Sequence, residues 1–452
     1  LYTNTASNNI AVGYRALFLN TTGVANVAVG TSALENNTTG AYNSAFGHGA
    51  LSSNTFASAN AAFGFRALYS NTTGNTNNAF GYYALRFNTI GTANVAIGYK
   101  SLQNNTTGWK NVAVGYASLI NNTIGDRNCA FGYSSLYNNT TGGVNSAFGY
   151  KALYANTIGS QNTAIGRSAL ESNTTGSNNV AVGSNSLQLN TIGANNVAVG
   201  YLSLFTNTTG TKNTAVGANS LYSNTIGTNN NAFGYNSLYY NTTGTNNTAV
   251  GHQSLQGNTI GVGNTAVGYI ALRANTTGSS NSAFGFQALV YSTIGSFNSA
   301  FGYRSLVYNT TGNHNSAFGY ASLFKNVTGV NNVAVGGYAL RNNTTNNNSA
   351  FGYRALFANT TGTSNVAVGL DALTNNTIAN NNTAVGFRTL YTNTTGINNT
   401  AVGNQALRLN VVGINNSAFG TYALYNNTTS NNSAFGYKAL TANTTGGLNT
   451  AV

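Results

Sequence analysis

The chain carries little with which to do chemistry. Its acids are Glu35, Asp126, Glu171 and Asp371, its histidines are His48, His252 and His314, and its one cysteine is Cys129. General acid–base work needs carboxylates that act together, and no two of these four stand in adjacent copies of the repeat set out below. A metal site needs clustered ligands, whereas His48 and His252 take a place otherwise held by tyrosine and His314 sits in a variable turn. Cys129 fills a small-residue place, and a single cysteine closes no framework disulfide. Not one of the 54 glycines leads into the Gly-Lys-Ser/Thr of a phosphate loop. These residues predict no enzyme, no metal site and no cofactor.

The remaining candidate chemistry is modification. Asn-x-Thr is the N-glycosylation acceptor, and sixteen turns of the chain carry it, counting Asn326-Val-Thr. The principal acceptors are Asn37, Asn71, Asn105, Asn139, Asn173, Asn207, Asn241, Asn275, Asn309 and Asn343, followed by Asn359, Asn393 and Asn427. Attached sugars would supply solubility to a surface in which only 5% of residues are charged. The competing reading is that an Asn/Thr-rich chain makes such triplets cheaply, with Thr marking a wet side and Ile a packed one.

What positions these residues is one repeat. Glycines recur every seventeen residues from Gly13 to Gly336, and again from Gly352 after a sixteen-residue step and at Gly436 after another, making 26 copies. Around each anchor, such as Gly115, the residue four before is always Asn (Asn111), two before is always Ala (Ala113), and four after is always Leu (Leu119). The residue seven after is Asn in every copy but one, where Ser292 stands, and the turn then reads Asn-Thr-Thr-Gly or Asn-Thr-Ile-Gly. Alternation of small with β-branched or aromatic residues over Asn111–Tyr116 is strand patterning. Asn-Thr-Thr-Gly is turn chemistry. A glycine in mid-segment costs a helix about 1 kcal/mol, and seventeen residues are too few for a strand–helix–strand unit. The absence of proline suits a chain whose backbone N–H groups are all needed for ladders. The expected fold is therefore all-β: a parallel β-solenoid of seventeen-residue repeats in a single continuous array over 1–452. Its Gly115-, Leu119-, Asn111- and Ala113-type columns form the structural ladder.

The tip residue nine after the anchor alternates between Thr and Ile over most of the chain, a 34-residue superperiod that slips at both sixteen-residue steps. The coincident slips favour the 34-residue pair as one physical coil. The strand has two apolar faces, one small (Asn, Ala, Gly) and one bulky (Val or Phe, then Tyr). A lone thin coil buries only one, so the other predicts self-association into a homo-oligomeric or laterally packed fibre.

Lys and Arg number 17 against 4 acids. Arg15, Arg66, Lys100, Lys151, Arg304, Arg354, Arg388 and Lys438 recur two places after the anchor, and Arg86, Arg273, Arg341 and Arg408 five places after. Charge spread this evenly reads as a solvated face with some attraction to glycans or an anionic cell surface, not as a nucleic-acid patch. No run of about 18 apolar residues exists to span a membrane, and no signal peptide is visible. The chain opens and closes inside a repeat, which reads as a piece of a longer array whose targeting signal lies elsewhere.

The motif Asn-x-Ala-Val-Gly-Tyr-x-Ala-Leu-x-x-Asn-Thr-Thr-Gly, as at Asn9–Gly23, resembles repeats of phage tail-fibre-like and bacterial surface-fibre proteins. More loosely it is similar to the head β-rolls of trimeric autotransporter adhesins, whose repeat is shorter. The resemblance covers the whole chain and implies an extracellular shaft or adhesive role, and no catalytic residue. Two other classes compete. A carbohydrate-binding adhesin module would use the Tyr column for stacking. An ice-binding solenoid would use the Thr column eight after the anchor.

Overall fold

The computed structural model describes residues 4–452. It comprises two compact units, Leu1–Thr228 and Asn229–Val452, built in the same way. The first holds thirteen strands, from Ile10–Val12 to Thr214–Val216, and the second fourteen, from Asn231–Phe233 to Thr450–Ala451. Within each unit the strands pair in parallel with their equivalents in the next copy: Val95 opposes Val112, Ala96 opposes Ala113 and Ile97 opposes Val114. Among the described residues there is no helix. Each unit is a β-solenoid, as the repeat predicts.

The register corrects one expectation. Partners lie one seventeen-residue copy apart, or sixteen apart at the short copies, as with Val333 and Ser349. The single copy is therefore the coil, and the 34-residue pair is not. The tips alternate up one common row, where Ile90, Ile124 and Ile158 are 53–55% exposed. Isoleucine marks no packed side.

Each strand but the last is three residues long, and in all of these but the first the middle residue, such as Ala113, faces inward and is fully buried. The anchor glycine follows. Its φ of 125–145° belongs to a region that side chains avoid. A Cβ on Gly13 would sit 2.7 Å from the carbonyl carbon and oxygen of Gly30 in the next coil. Four residues on, every core leucine adopts the left-handed conformation, with φ of 47–54°. That conformation costs about 1–2 kcal/mol per residue, and burying a leucine returns about 1.5–3 kcal/mol. Leu17 through Leu424 are all fully buried, so packing wins.

Two asparagine columns close the coil. The Asn111 backbone N–H donates to Asn94 Oδ1 at 2.9 Å, and its Nδ2 donates to the Gly125 carbonyl at 2.9 Å. From the turn, Asn122 Nδ2 donates to Asn105 Oδ1 at 2.8 Å and to the same Gly125 carbonyl at 2.9 Å. Thr123 sends both its N–H and its hydroxyl to the Thr140 carbonyl, at 3.0 and 3.1 Å. Buried polar groups must find partners, and here the coils on either side and the coil's own turn supply them.

The sixteen-residue coils lack the turn glycine. Thr345 replaces it: its carbonyl accepts from Asn332 Nδ2 at 2.7 Å and Asn343 Nδ2 at 2.8 Å, and its hydroxyl turns in to the Gly362 carbonyl at 2.7 Å. Thr429 does the same for Asn416 and Asn427. An isoleucine tip has no hydroxyl to donate in this way. The slips in the Thr/Ile alternation thus sit beside a local requirement, not a change of coil size.

Ser292 breaks the turn ladder, leaving Asn275 Oδ1 and its own Oγ buried without partners. Ser292→Asn should restore both neighbouring bonds and raise local stability by about 1–2 kcal/mol. Slower amide exchange at Thr276 and Thr293 would register the gain, and unchanged or faster exchange would count against the ladder.

Candidate functional site

The structure places the candidate glycan acceptors inside the coil. Asn37, Asn71, Asn105, Asn139, Asn173, Asn207, Asn241, Asn275, Asn309, Asn343, Asn359, Asn393 and Asn427 are all fully buried. Their Nδ2 atoms, where a sugar would attach, are donors inside the coil: Asn37 to Asn20 Oδ1 at 2.7 Å and to the Gly40 carbonyl at 2.9 Å. A glycan there would remove a donor and push the coils apart. N-glycosidase treatment should therefore leave the intact mass at the bare 46.6 kDa. A stepwise mass loss mapped to these residues would contradict the burial.

The acids are partnered. Glu35 meets Arg15 at 2.6 Å, Asp126 meets Arg127 at 3.7 Å and Glu171 meets Lys151 at 4.0 Å. Asp371 lies between Arg354 and Arg388, at 3.8 and 3.4 Å. Among the described residues no three His, Cys, Asp or Glu side chains cluster to hold a metal. His48 stacks on Phe65 with centroids 5.3 Å apart, and His252 stacks between Tyr235 and Tyr269 at 5.4 and 5.2 Å. His314 lies on Phe297 at 4.9 Å. Burial pushes the Cys129 thiol above its ordinary pKa, which favours the protonated form over the nucleophilic thiolate. Trp109 holds Lys110 and Arg127, each 4.6 Å from its ring.

What the coils present instead are surfaces. The strand's bulky face points outward. From His48 to Tyr150 the column after the anchor is one stack of seven rings, with centroids 5.0–5.5 Å apart. The column before the anchor stacks where phenylalanines fall in consecutive copies, as in Phe46–Phe63–Phe80 at 4.7 and 4.8 Å. Cations two and five places after the anchor lie along rings of the turn, as with Arg86 at 4.3 Å from Tyr83. The Thr column suggested for ice is turned to backbone carbonyls, as at Thr106 and Thr123.

One place departs from this regularity, and the sequence reading did not find it. In the second unit, Tyr291 and Tyr308 stack at 5.3 Å and Phe324 meets Tyr308 edge-on at 5.1 Å. With Lys325 and Val327 they line an apolar groove of about 720 Å³. Beside it, Gly257 and Ala274 floor a slot of about 260 Å³ between Tyr240 and Tyr291. The signal was a run of unlike residues at positions that vary along the whole chain, so nothing marked it. Compared with known proteins, the chain matches no family model and no curated sequence.

Proposed function

We propose that this chain is a structural shaft segment of an extracellular fibre, without catalysis. The observation that carries the reading is the ladder. The strand asparagine column and the inner Ala and Leu columns link each coil to the next, and the turn asparagine and threonine columns add further ladders that are interrupted at single coils such as that of Ser292. Each coil is a template for its neighbour, and this suits a sequence whose few acids are held in ion pairs. The repeat's resemblance to surface-fibre proteins agrees in kind. Immunogold microscopy of the source material, with antibodies against the intact chain, tests it: label along external filaments supports the shaft, and label confined to the cell interior contradicts it.

A second reading, adhesion to carbohydrate, is favoured by the groove at Tyr291 and Tyr308. Apolar walls with few polar groups are the usual make-up of a ligand site, and tyrosine offers a flat apolar face with a polar tip. Saturable glycan binding lost in Tyr308→Ala would promote this reading, and binding indifferent to that change would remove it.

A further inference from the structure

The outer strand face carries a regularity that strand preference does not explain. Each strand points two residues outward, three and one before the anchor, and in all 26 copies the two are matched in size. Where the second is Phe, the first is Ser, Ala, Asn or Cys, as in Ser44/Phe46, Asn78/Phe80 and Cys129/Phe131. Where the second is Val or Ile, the first is Val, Ile or Thr, as in Val95/Ile97, Val112/Val114 and Thr214/Val216. Phe never shares a strand with an outward β-branched residue. Strands favour β-branched and aromatic residues at both outward positions, so propensity alone does not set Ser, Ala, Asn or Cys beside Phe. The pair is partly open to solvent in this chain, with Phe46, Phe80 and Phe148 37–39% exposed.

We propose that a second copy of this chain packs on this face about a two-fold axis parallel to the coil stack. Such a rotation reverses strand direction across the interface. The residue before each anchor then lies over the residue three before the anchor in the same coil of the partner, and the reverse holds by symmetry. Every coil fills the gap between the sheets with one side chain of each kind: Phe over Ser, or Val over Val. The filling stays even along the stack only if the two sizes compensate within each coil. An antiparallel copy would set unrelated coils against each other, and a three-fold arrangement would not bring two faces together. Neither calls for matching inside a coil. Only another array with the same coil spacing keeps this fit over many coils, which singles out the chain itself as occupant. The stacked Tyr columns fall at the two rims, where their hydroxyls reach water. A stable interface takes roughly 800 Å² per partner, about a twentieth of the 16487 Å² that the chain exposes. The inference rests on the shaft reading and names its lateral partner.

Sedimentation of the intact chain tests it. The expected mass is twice 46.6 kDa. Ser299→Val with Ser316→Val sets β-branched residues beside Phe301 and Phe318, and should weaken the dimer about tenfold or more. Adding Phe301→Val and Phe318→Val should restore it. A monomeric or trimeric mass would overturn the proposal, as would variants that dimerise like the wild type. A drop in monomer melting temperature without any change in association would show that the matching is internal packing. Register is tested separately in Cys129→Ser chains. Oxidising a mixture of Ser146→Cys and Phe148→Cys chains should yield covalent dimers that neither chain forms alone, and equal cross-linking within either pure sample would overturn the two-fold. A monomer in solution that is still found along external filaments would sink this inference and leave the shaft reading standing.

Discussion

Gly115→Val should open the first unit at one coil and leave its distant coils folded. The anchor's φ of 133° lies where only glycine is at ease, and its Cβ would press on the Gly132 carbonyl, which is backbone and cannot swing away. The expected cost is at least about 3 kcal/mol. Because a solenoid coil contacts only its neighbours, amide exchange should accelerate around Val112–Val114 and its partners Val95–Ile97 and Cys129–Phe131. The strand Ile10–Val12, several coils away, should keep its protection. Loss of the whole unit in one cooperative step would contradict nearest-neighbour stacking.

Leu255→Asp should have an effect of similar size in the second unit. Leu255 is fully buried. Truncating such a residue costs about 2–5 kcal/mol, and an unpaired carboxylate in its place adds a desolvation penalty that a well-packed column cannot relieve. Its backbone accepts the change more readily than its core does, because aspartate tolerates the left-handed conformation better than leucine. A fault confined to the coils next to Leu255 is the expected result, read as new proteolytic cleavage near Leu238–Leu272. Cleavage spread evenly over the unit would show that the columns are not independent.

The sequence made the columns legible because depth in a solenoid is set by position and repeats without exception. Asn111, Ala113, Gly115 and Leu119 could be assigned to a ladder from spacing alone, and the structure places all four there. The left-handed leucines were not legible, since leucine carries no preference for positive φ and is placed there by its core contacts. The acceptor triplets misled for a related reason. Asn-Thr-Thr is both a modification signal and a turn whose asparagine bonds inward, and residue type alone does not separate the two. The superperiod misled because the tip is solvent-exposed, so its alternation places no constraint on the coil. Size matching on the outer strand face was present in the sequence all along, but it acquires meaning only once both residues are known to point out of the same coil.

The central claim is that one seventeen-residue copy makes one coil. Spin labels on the exposed tips Thr73 and Thr175, in a Cys129→Ser chain, measure it within the first unit. These residues are 102 apart, which is six copies of seventeen. Parallel strands stack every 4.7–4.9 Å, so electron–electron dipolar spectroscopy should find about 29 Å between the labelled backbones. A distance near 14 Å, three spacings in place of six, would mean that two copies make each coil and would contradict the account.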